Sequence, residues 1–197
     1  LSNIKNEFIF LDIGANQGLY TICAAKNSKC LSVHAFEPVR DIFKFTVENV
    51  EVNSVAKKCN LWNLGLGLRS LEMTKINFSK EHSGSTSLIN KKDNSNKDLL
   101  SEERSIALIN NVFIDSLLID NSFDIHVKID VEGLEEMVIN QLALMKSFSR
   151  VKSIFYEVDE RWSNNSKISK LLNELGFIKY EKIYGKNPHH YDILASK

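Results

Sequence analysis

The chain has 197 residues, and its 25 lysine and arginine residues balance 25 aspartate and glutamate residues, so the formal net charge is zero. A neutral chain of this length fits one domain with a sizeable core, and its charge argues against a general electrostatic grip on nucleic acid or on an anionic membrane. No apolar run approaches the about 20 residues of a membrane-spanning helix, and the chain start lacks the basic and apolar regions of a secretory signal peptide.

The first third of the chain predicts alternating strands and helices. Phe8 to Leu11 is a short apolar run that ends at Asp12 and Gly14, which is typical of a buried parallel strand. Further along, the pattern predicts a helix over 19–26, a strand over 31–36, a helix from 39 to about 53 and a strand over 59–64. This order favours a parallel sheet with right-handed crossovers.

The middle of the chain departs from this alternation. Residues 71–78 alternate roughly between apolar and polar side chains, which predicts an antiparallel arm. Residues 79–105 are polar, and a long polar loop inside a domain is usually a lid, a binding loop or a disordered stretch. Because this segment follows the third strand, we predict that it covers a ligand site at the carboxyl ends of the strands as a lid.

Regular patterns resume near residue 125. They predict a strand over 125–130, a helix over 134–145, a strand over 151–158, a helix over 168–175 that ends at Gly176, and two strand-like pieces within 177–195. The sequence contains no internal repeat and no sign of a second core. We therefore predict a single domain over residues 1–197 with a doubly wound, Rossmann-like α/β fold.

A glycine-containing turn follows the first strand, where an open α/β sheet binds its ligand. The dinucleotide pattern Gly-x-Gly-x-x-Gly, begun at Gly14, would need glycine where the chain has Asn16 and Leu19. The methyltransferase pattern acidic-x-Gly-x-Gly-x-Gly matches at Asp12, Gly14 and Gly18, with Asn16 in place of the middle glycine. Asparagine tolerates a positive φ better than most residues, so the turn favours S-adenosylmethionine.

The predicted cofactor contacts follow from this pattern. The turn backbone approaches the methionine part, Asp12 accepts from its ammonium group, and Glu37 at the end of the second strand accepts from the ribose hydroxyls. An acidic residue at that place would suit NAD as well, so Glu37 does not discriminate between the two cofactors. The residues predicted to contact the cofactor are Asp12, Gly14, Ala15, Asn16, Gly18, Glu37, Pro38 and Asp130.

Charged residues end the later strands. Lys128, Asp130 and Glu132 point to one side of an extended chain, and such charges are costly beside an apolar strand unless they are paired or used. A Lys128–Asp130 ion pair is the structural explanation. The functional explanation makes these carboxylates, together with Glu157 and Asp159 after the next strand, candidates for the base that removes an acceptor proton.

The catalytic candidates are Asp130, Glu132 and Glu157. The histidines are assigned structural roles: His34 lies within a strand, and His189 and His190 are typical of a turn or a surface. No group of histidine and acidic residues has a recognisable ligand spacing, so we predict no metal.

Taken together, these segments resemble the FkbM family of methyltransferases. The matching pieces are FLDIGANQG at 10–18, AFEP at 35–38, ENVEVN at 48–53, GSTSL at 84–88 and KIDVEG at 128–133. The resemblance implies a seven-stranded sheet whose last strand is antiparallel, and O-methylation of a sugar or natural-product hydroxyl. It also implies that Asn63, Leu64 and Gly65 contact the adenine.

Two other functions stay open at this point, namely a nicotinamide-dependent oxidoreductase and a non-catalytic cofactor-binding module. The expected partner is a small-molecule or glycan hydroxyl acceptor, without nucleic acid and without a membrane span. Cys23, Cys30 and Cys59 lie at no metal or redox spacing and are expected to be buried thiols in the cytoplasm. The chain begins at Leu1 rather than methionine, which leaves open whether a natural segment precedes it.

Overall fold

A seven-stranded sheet occupies the centre of the molecule. The structure is a computed structural model that describes residues 1, 4–69, 72–79, 101–118, 122–161, 163–184 and 189–197. Its strands are β1 (Phe8–Ile13), β2 (Cys30–Phe36), β3 (Cys59–Trp62), β4 (Gly65–Leu66), β5 (Glu72–Ser79), β6 (Ser101–Ile109), β7 (Asp124–Ile129), β8 (Val151–Asp159), β9 (Lys179–Tyr184) and β10 (His190–Ser196). Its α-helices are α1 (Leu19–Lys26), α2 (Arg40–Val52), α3 (Asn111–Ser116), α4 (Glu135–Ala143) and α5 (Asn165–Glu174).

The strand order confirms the predicted fold class. The large sheet runs β3-β2-β1-β7-β8-β10-β9, and its neighbours pair in parallel except for β10, which is antiparallel to both β8 and β9. The chain order reverses beside β1, because β2 lies on one side of β1 and β7 on the other. A ligand site is expected at the carboxyl ends of these strands, where the crossovers diverge.

Both faces of β1 are covered, which explains its uninterrupted apolar run. Ile9 and Leu11 join the main core with residues of α4 and α5, whereas Phe8 and Phe10 pack with the alanines of α1. In contrast, β10 alternates between buried and half-buried residues. Its half-buried face carries His190 and Asp192, so polar side chains of the last strand remain accessible from one side of the sheet.

A second, three-stranded sheet has the order β4-β6-β5. The pairing of β5 with β6 is antiparallel, which confirms the predicted arm at its first strand. The predicted polar loop over 79–105 is wrong at both ends, because Ser79 belongs to β5 and residues 101–105 belong to β6. The remainder of the predicted lid, residues 80–100, lies outside the described residues.

The fold tests the predicted burial of the three cysteines and the predicted absence of a membrane-spanning helix. Cys23 is exposed, Cys59 is partly buried and only Cys30 is buried, so the expectation of three buried thiols is wrong. Within the described part of the chain, no helix is long and apolar enough to cross a membrane.

Candidate active site

The predicted glycine turn adopts a left-handed backbone at three positions. Gly14 has φ 78°, Asn16 has φ 50° and Gly18 has φ 85°. Ala15 lies between them and is buried. The positive φ of Asn16 is the conformation that was expected of an asparagine in place of the middle glycine. No side chain caps the first turn of α1, whose N-cap is Gly18, so the free N–H groups of that turn suit a ligand carboxylate.

Residues of α2 hold this turn from the side. The hydroxyl of Thr46 donates to the carbonyl of Asn16, and the side-chain amide of Asn49 donates to the carbonyl of Gln17 at 2.9 Å. Sequence reasoning missed these two contacts, although Asn49 lies within a segment that matched the family. The turn is therefore fixed by side chains that are about 30 residues away in sequence.

Glu37 reaches the turn from the end of β2. Its carboxylate accepts hydrogen bonds from the backbone N–H groups of Asn16 and Val39, each at 2.9 Å, and only 6% of the residue is exposed. Burial raises the pKa of Glu37 to about 7, although the two N–H groups act against this shift. Each oxygen keeps a second lone pair, so the carboxylate can still accept from ribose hydroxyls.

The predicted adenine residues lie beside Glu37. The amide of Asn63 donates to the carbonyls of Glu37 and Pro38, at 2.9 and 3.1 Å. A Cβ added to Gly65 would lie 3.2 Å from the Cβ of Pro38, and Leu64 is half-buried against the main core. The structure thus brings 37–38 and 63–65 together at one end of the glycine turn.

Below the turn, Lys128 connects two strands. Its side chain is 3% exposed, and Nζ lies 3.5 Å from Asp12 and 3.4 Å from Asp130. The same ammonium donates to the carbonyl of Gly14 at 2.5 Å, and Thr21 donates to Asp12 at 2.6 Å. The ion pair with Asp130 is present as predicted. Asp12 is fully buried, so it supports the turn from beneath and reaches a ligand only through other groups.

Three carboxylates meet beside the turn. Asp130, Glu132 and Glu157 each offer an oxygen, and these oxygens lie within 4.8 Å of one another. Burial, followed by the neighbouring carboxylates Glu157 and Asp130, raises the pKa of Glu132 to about 7. A cluster of this kind could hold a metal ion or accept a proton. The spacing in the sequence did not reveal it, because the residues meet only when β7 and β8 pair.

Basic side chains contact carboxylates within this acidic group and next to it. Lys128 lies at Asp130, and the guanidinium of Arg161 binds both oxygens of Asp159, with Nε at 2.9 and 3.0 Å. That contact holds the pKa of Asp159 below its usual range. His190 contacts Glu157, whereas His189 is exposed and bound to Glu160. Sequence reasoning missed the role of His190, since its partner lies on another strand.

His34 has the structural position that was predicted for it. It is 7% exposed within β2, and burial lowers its pKa. It lies inside β2, opposite Leu11 of β1 and Asn60 of β3.

The chain is similar to a known protein family over most of its length. The sequence matches the family model described as a methyltransferase FkbM domain over residues 12–179. No curated protein matches the chain.

Solved structures with the same architecture include several methyltransferases. Streptococcus pneumoniae Sp1610, described as a candidate tRNA (m1A22) methyltransferase and solved with S-adenosyl-L-methionine, has a TM-score of 0.58 at 14% identity over 98% of this chain and 67% of that chain. M. capricolum TrmK, solved with S-adenosyl-homocysteine, has a TM-score of 0.54 at 14% identity over 100% of this chain and 65% of that chain. A human methyltransferase 10 domain containing protein has a TM-score of 0.50 at 14% identity over 96% and 72%.

This chain spans 65% of another structure of S. pneumoniae Sp1610 and 64% of an uncharacterized Listeria monocytogenes protein. At these identities the likeness shows the fold.

Proposed function

Because the chain belongs to the FkbM family of methyltransferases, we propose that it transfers a methyl group from S-adenosylmethionine to a hydroxyl oxygen of a sugar or natural-product acceptor. The observation that carries the acceptor chemistry is the group of three carboxylates beside the glycine turn. A hydroxyl is a weak nucleophile until its proton is removed, and a carboxylate at the reacting position can remove it.

The residues of the site fit the cofactor. The uncapped start of α1 suits the methionine carboxylate, Glu37 suits the ribose hydroxyls, and the surface formed by Pro38, Asn63 and Gly65 suits the adenine. When bound, S-adenosylmethionine supplies an electrophilic methyl group. The turn residues would hold the methyl donor, and the three carboxylates beside the turn would face the acceptor.

The proposed reaction is a single displacement. The acceptor oxygen forms a bond to the methyl carbon while the carbon–sulfur bond breaks, with its electron pair left on sulfur. The acceptor proton passes to a carboxylate, for which Asp130, Glu132 and Glu157 are the candidates. Most of the rate enhancement comes from holding the oxygen about 3 Å from the methyl carbon in line with the breaking bond.

We further propose that the acceptor is not a nucleic acid, although related folds include tRNA methyltransferases. The rim of the site carries Asp130, Glu132 and Glu157, which would repel a phosphate backbone. The zero formal net charge offers no general compensation. We also propose a cytoplasmic location, because Cys23, Cys30 and Cys59 lie at no metal or redox spacing.

Calorimetry tests the cofactor assignment. We expect S-adenosylhomocysteine to bind and NADH not to bind, because the turn lacks the second and third glycines of the dinucleotide pattern. Tight binding of NADH without any heat from S-adenosylhomocysteine would contradict the assignment.

Release of S-adenosylhomocysteine on addition of methyl glycosides then tests the acceptor class, with tRNA in a parallel assay. Transfer to tRNA alone would refute the proposed acceptor, and binding without any transfer would favour a non-catalytic module.

Glu37→Ala is expected to weaken binding of S-adenosylhomocysteine by about 1–3 kcal/mol, because hydrogen-bonding groups lose a charged partner. Two backbone N–H groups also lose their acceptor, so the turn becomes less ordered. Calorimetry measures the change, and Glu174→Ala, at an exposed glutamate on α5, is the matched control. Wild-type affinity in Glu37→Ala would show that this carboxylate does not hold the ribose.

Chelation is expected to leave methyl transfer unchanged. The carboxylates could hold a divalent ion, but one oxygen of Asp130 already contacts Lys128 and one oxygen of Glu157 already contacts His190. The measurement compares initial rates before and after EDTA treatment, and then after addition of Mg²⁺, Mn²⁺ or Zn²⁺. Loss of turnover with EDTA and recovery with one of these ions would make the acidic group a catalytic metal site.

A further inference from the structure

His190 and Glu157 form a pair across the last two strands of the site. In the antiparallel ladder His190 lies opposite Asp159, and Asp192 lies opposite Glu157. His190 and Glu157 are therefore diagonal neighbours on the same face of the sheet, which long side chains can bridge. The Nε2 atom of His190 lies 2.5 Å from Oε1 of Glu157.

The pair joins a member of the acidic group to a more exposed histidine. The Glu157 side chain is 20% exposed and that of His190 is 43% exposed. Glu157 shares the carboxylate cluster with Asp130, whose backbone carbonyl packs against Gly14 of the cofactor turn. Glu157 thus belongs to the group beside the cofactor turn, and its contact His190 is the more exposed of the two side chains.

The contact also changes the charge of both groups. Burial, followed by the charge of Asp130, raises the pKa of Glu157 above its usual range, and the hydrogen bond from His190 and its charge act against this rise. In the other direction, Glu157 raises the pKa of His190. The contact between the two side chains therefore opposes the effect of burial on Glu157 and favours the protonated imidazole of His190. The charged and titratable groups that face the pair are Lys128, Asp130, Glu132, Asp159, Arg161 and Asp192.

The other candidate bases lack this arrangement. Asp130 is held by buried Lys128, and the oxygens of Asp159 are bound by Arg161. Among the residues that the structure describes, no hydrogen bond or ion pair fixes the carboxylate of Glu132. A base that is oriented by a third group is the usual arrangement in proton-transfer sites.

We infer that Glu157 is the base that receives the acceptor proton. His190 is the positioning residue, which keeps the carboxylate of Glu157 ionised and oriented toward the acceptor. The inference rests on the proposed methylation of a hydroxyl. In the step, the acceptor O–H bond breaks, its electron pair stays on the oxygen that attacks the methyl carbon, and the proton moves to the free oxygen of Glu157. His190 keeps its contact with the other oxygen throughout.

NMR titration of the protein without cofactor tests the pair directly. The imidazole of His190 and the carboxyl of Glu157 are followed against pH in the wild type, in His190→Gln and in Glu157→Gln. We expect the titration midpoint of Glu157 to move to higher pH in His190→Gln, because the cationic partner is lost. We expect the midpoint of His190 to move to lower pH in Glu157→Gln. Unchanged midpoints in both variants would overturn the inference.

Kinetics separates positioning from direct proton transfer. The probe is a panel of methyl glycosides, with release of S-adenosylhomocysteine followed across pH. His190→Gln is expected to move the acidic limb of kcat/KM to higher pH, with a loss of about tenfold or more at mildly acidic pH and recovery at alkaline pH. Glu157→Gln is expected to lose about 10²–10⁴-fold at every pH. The KM for S-adenosylmethionine stays unchanged in His190→Gln.

His189→Gln is the matched control, since His189 is adjacent, exposed and bound to Glu160 rather than to Glu157. It is expected to leave the pH profile and the His190 midpoint unchanged. A pH-independent loss in His190→Gln would make His190 itself the base and would overturn the assignment to Glu157. If the wild type methylates no glycoside, the proposed acceptor class fails, while the NMR titration still decides whether His190 holds Glu157 ionised.

Discussion

Replacing Gly14 by alanine is expected to remove more than about 3 kcal/mol from folding and cofactor binding combined. Gly14 has φ 78°, and a Cβ built there would lie 1.9 Å from the carbonyl oxygen of Asp130 and 2.9 Å from its carbonyl carbon. The left-handed conformation alone costs an L-residue about 1–2 kcal/mol. The clash is with backbone rather than with the end of a flexible side chain, so β1 and β7 must separate where their carboxyl ends meet.

Gly176 provides the control for the backbone conformation. It has φ 87° and follows α5, and an added Cβ would meet nothing within 4 Å. Gly176→Ala should therefore cost about 1–2 kcal/mol of stability and leave the affinity for S-adenosylhomocysteine unchanged. Chemical denaturation and calorimetry measure both quantities in both variants. Equal effects of the two substitutions would show that the approach of Gly14 to Asp130 does not shape the cofactor turn.

The strands of the large sheet could be predicted from the sequence because each is a short apolar run with a clear end. The predicted bounds of β2 and β8 differ from the observed Cys30–Phe36 and Val151–Asp159 by one residue at one end. Glu37-Pro38 ends one strand, and proline disfavours continuation of regular structure. The glycine turn could be predicted for a similar reason, since its backbone conformation depends on a few adjacent residues.

Strand β6 could not be predicted, because its first half carries no apolar signal. Residues 101–105 include three charged side chains, and they form a strand through backbone pairing with β5. The second half is apolar, and Ile106 and Leu108 pack with Val39 and Ile42 at the start of α2. That contact depends on the tertiary arrangement, which a local pattern does not contain.

The sequence indicates the candidate site residues but not the contacts between their side chains. Asp130, Glu132 and Glu157 were identified as candidates because charges at the ends of apolar strands need a reason. Their mutual distances depend on the pairing of β7 with β8, and the contact of Glu157 with His190 depends on the insertion of β10 beside β8. Registers of this kind are set by the whole sheet, so the position of His190 in the chain predicted only a turn or a surface.

Lys128→Met is expected to lower the free energy of unfolding by about 3–5 kcal/mol, because it breaks a buried ion pair and leaves a buried charge without its partner. Asp12 has no exposed surface, and its Oδ1 has no hydrogen bond, so Lys128 is the charge that compensates that oxygen. Burial lowers the pKa of Lys128, but Asp12 and Asp130 outweigh it and the pKa is raised. The contribution to stability is therefore present at neutral pH and is lost only as the pH rises through that raised value.

Methionine retains the length of the lysine stem, so the effect measures the lost charge more than lost packing. Lys152→Met is the matched control, since Lys152 is 46% exposed and lies 3.6 Å from Asp124 at the other end of β7. A surface pair of that kind contributes about 1 kcal/mol or less. Adding Asp12→Asn to Lys128→Met should recover part of the lost stability, because the uncompensated carboxylate is removed. Chemical denaturation decides the matter: if Lys128→Met costs no more than Lys152→Met, Lys128 does not stabilise the buried carboxylate beneath the cofactor turn.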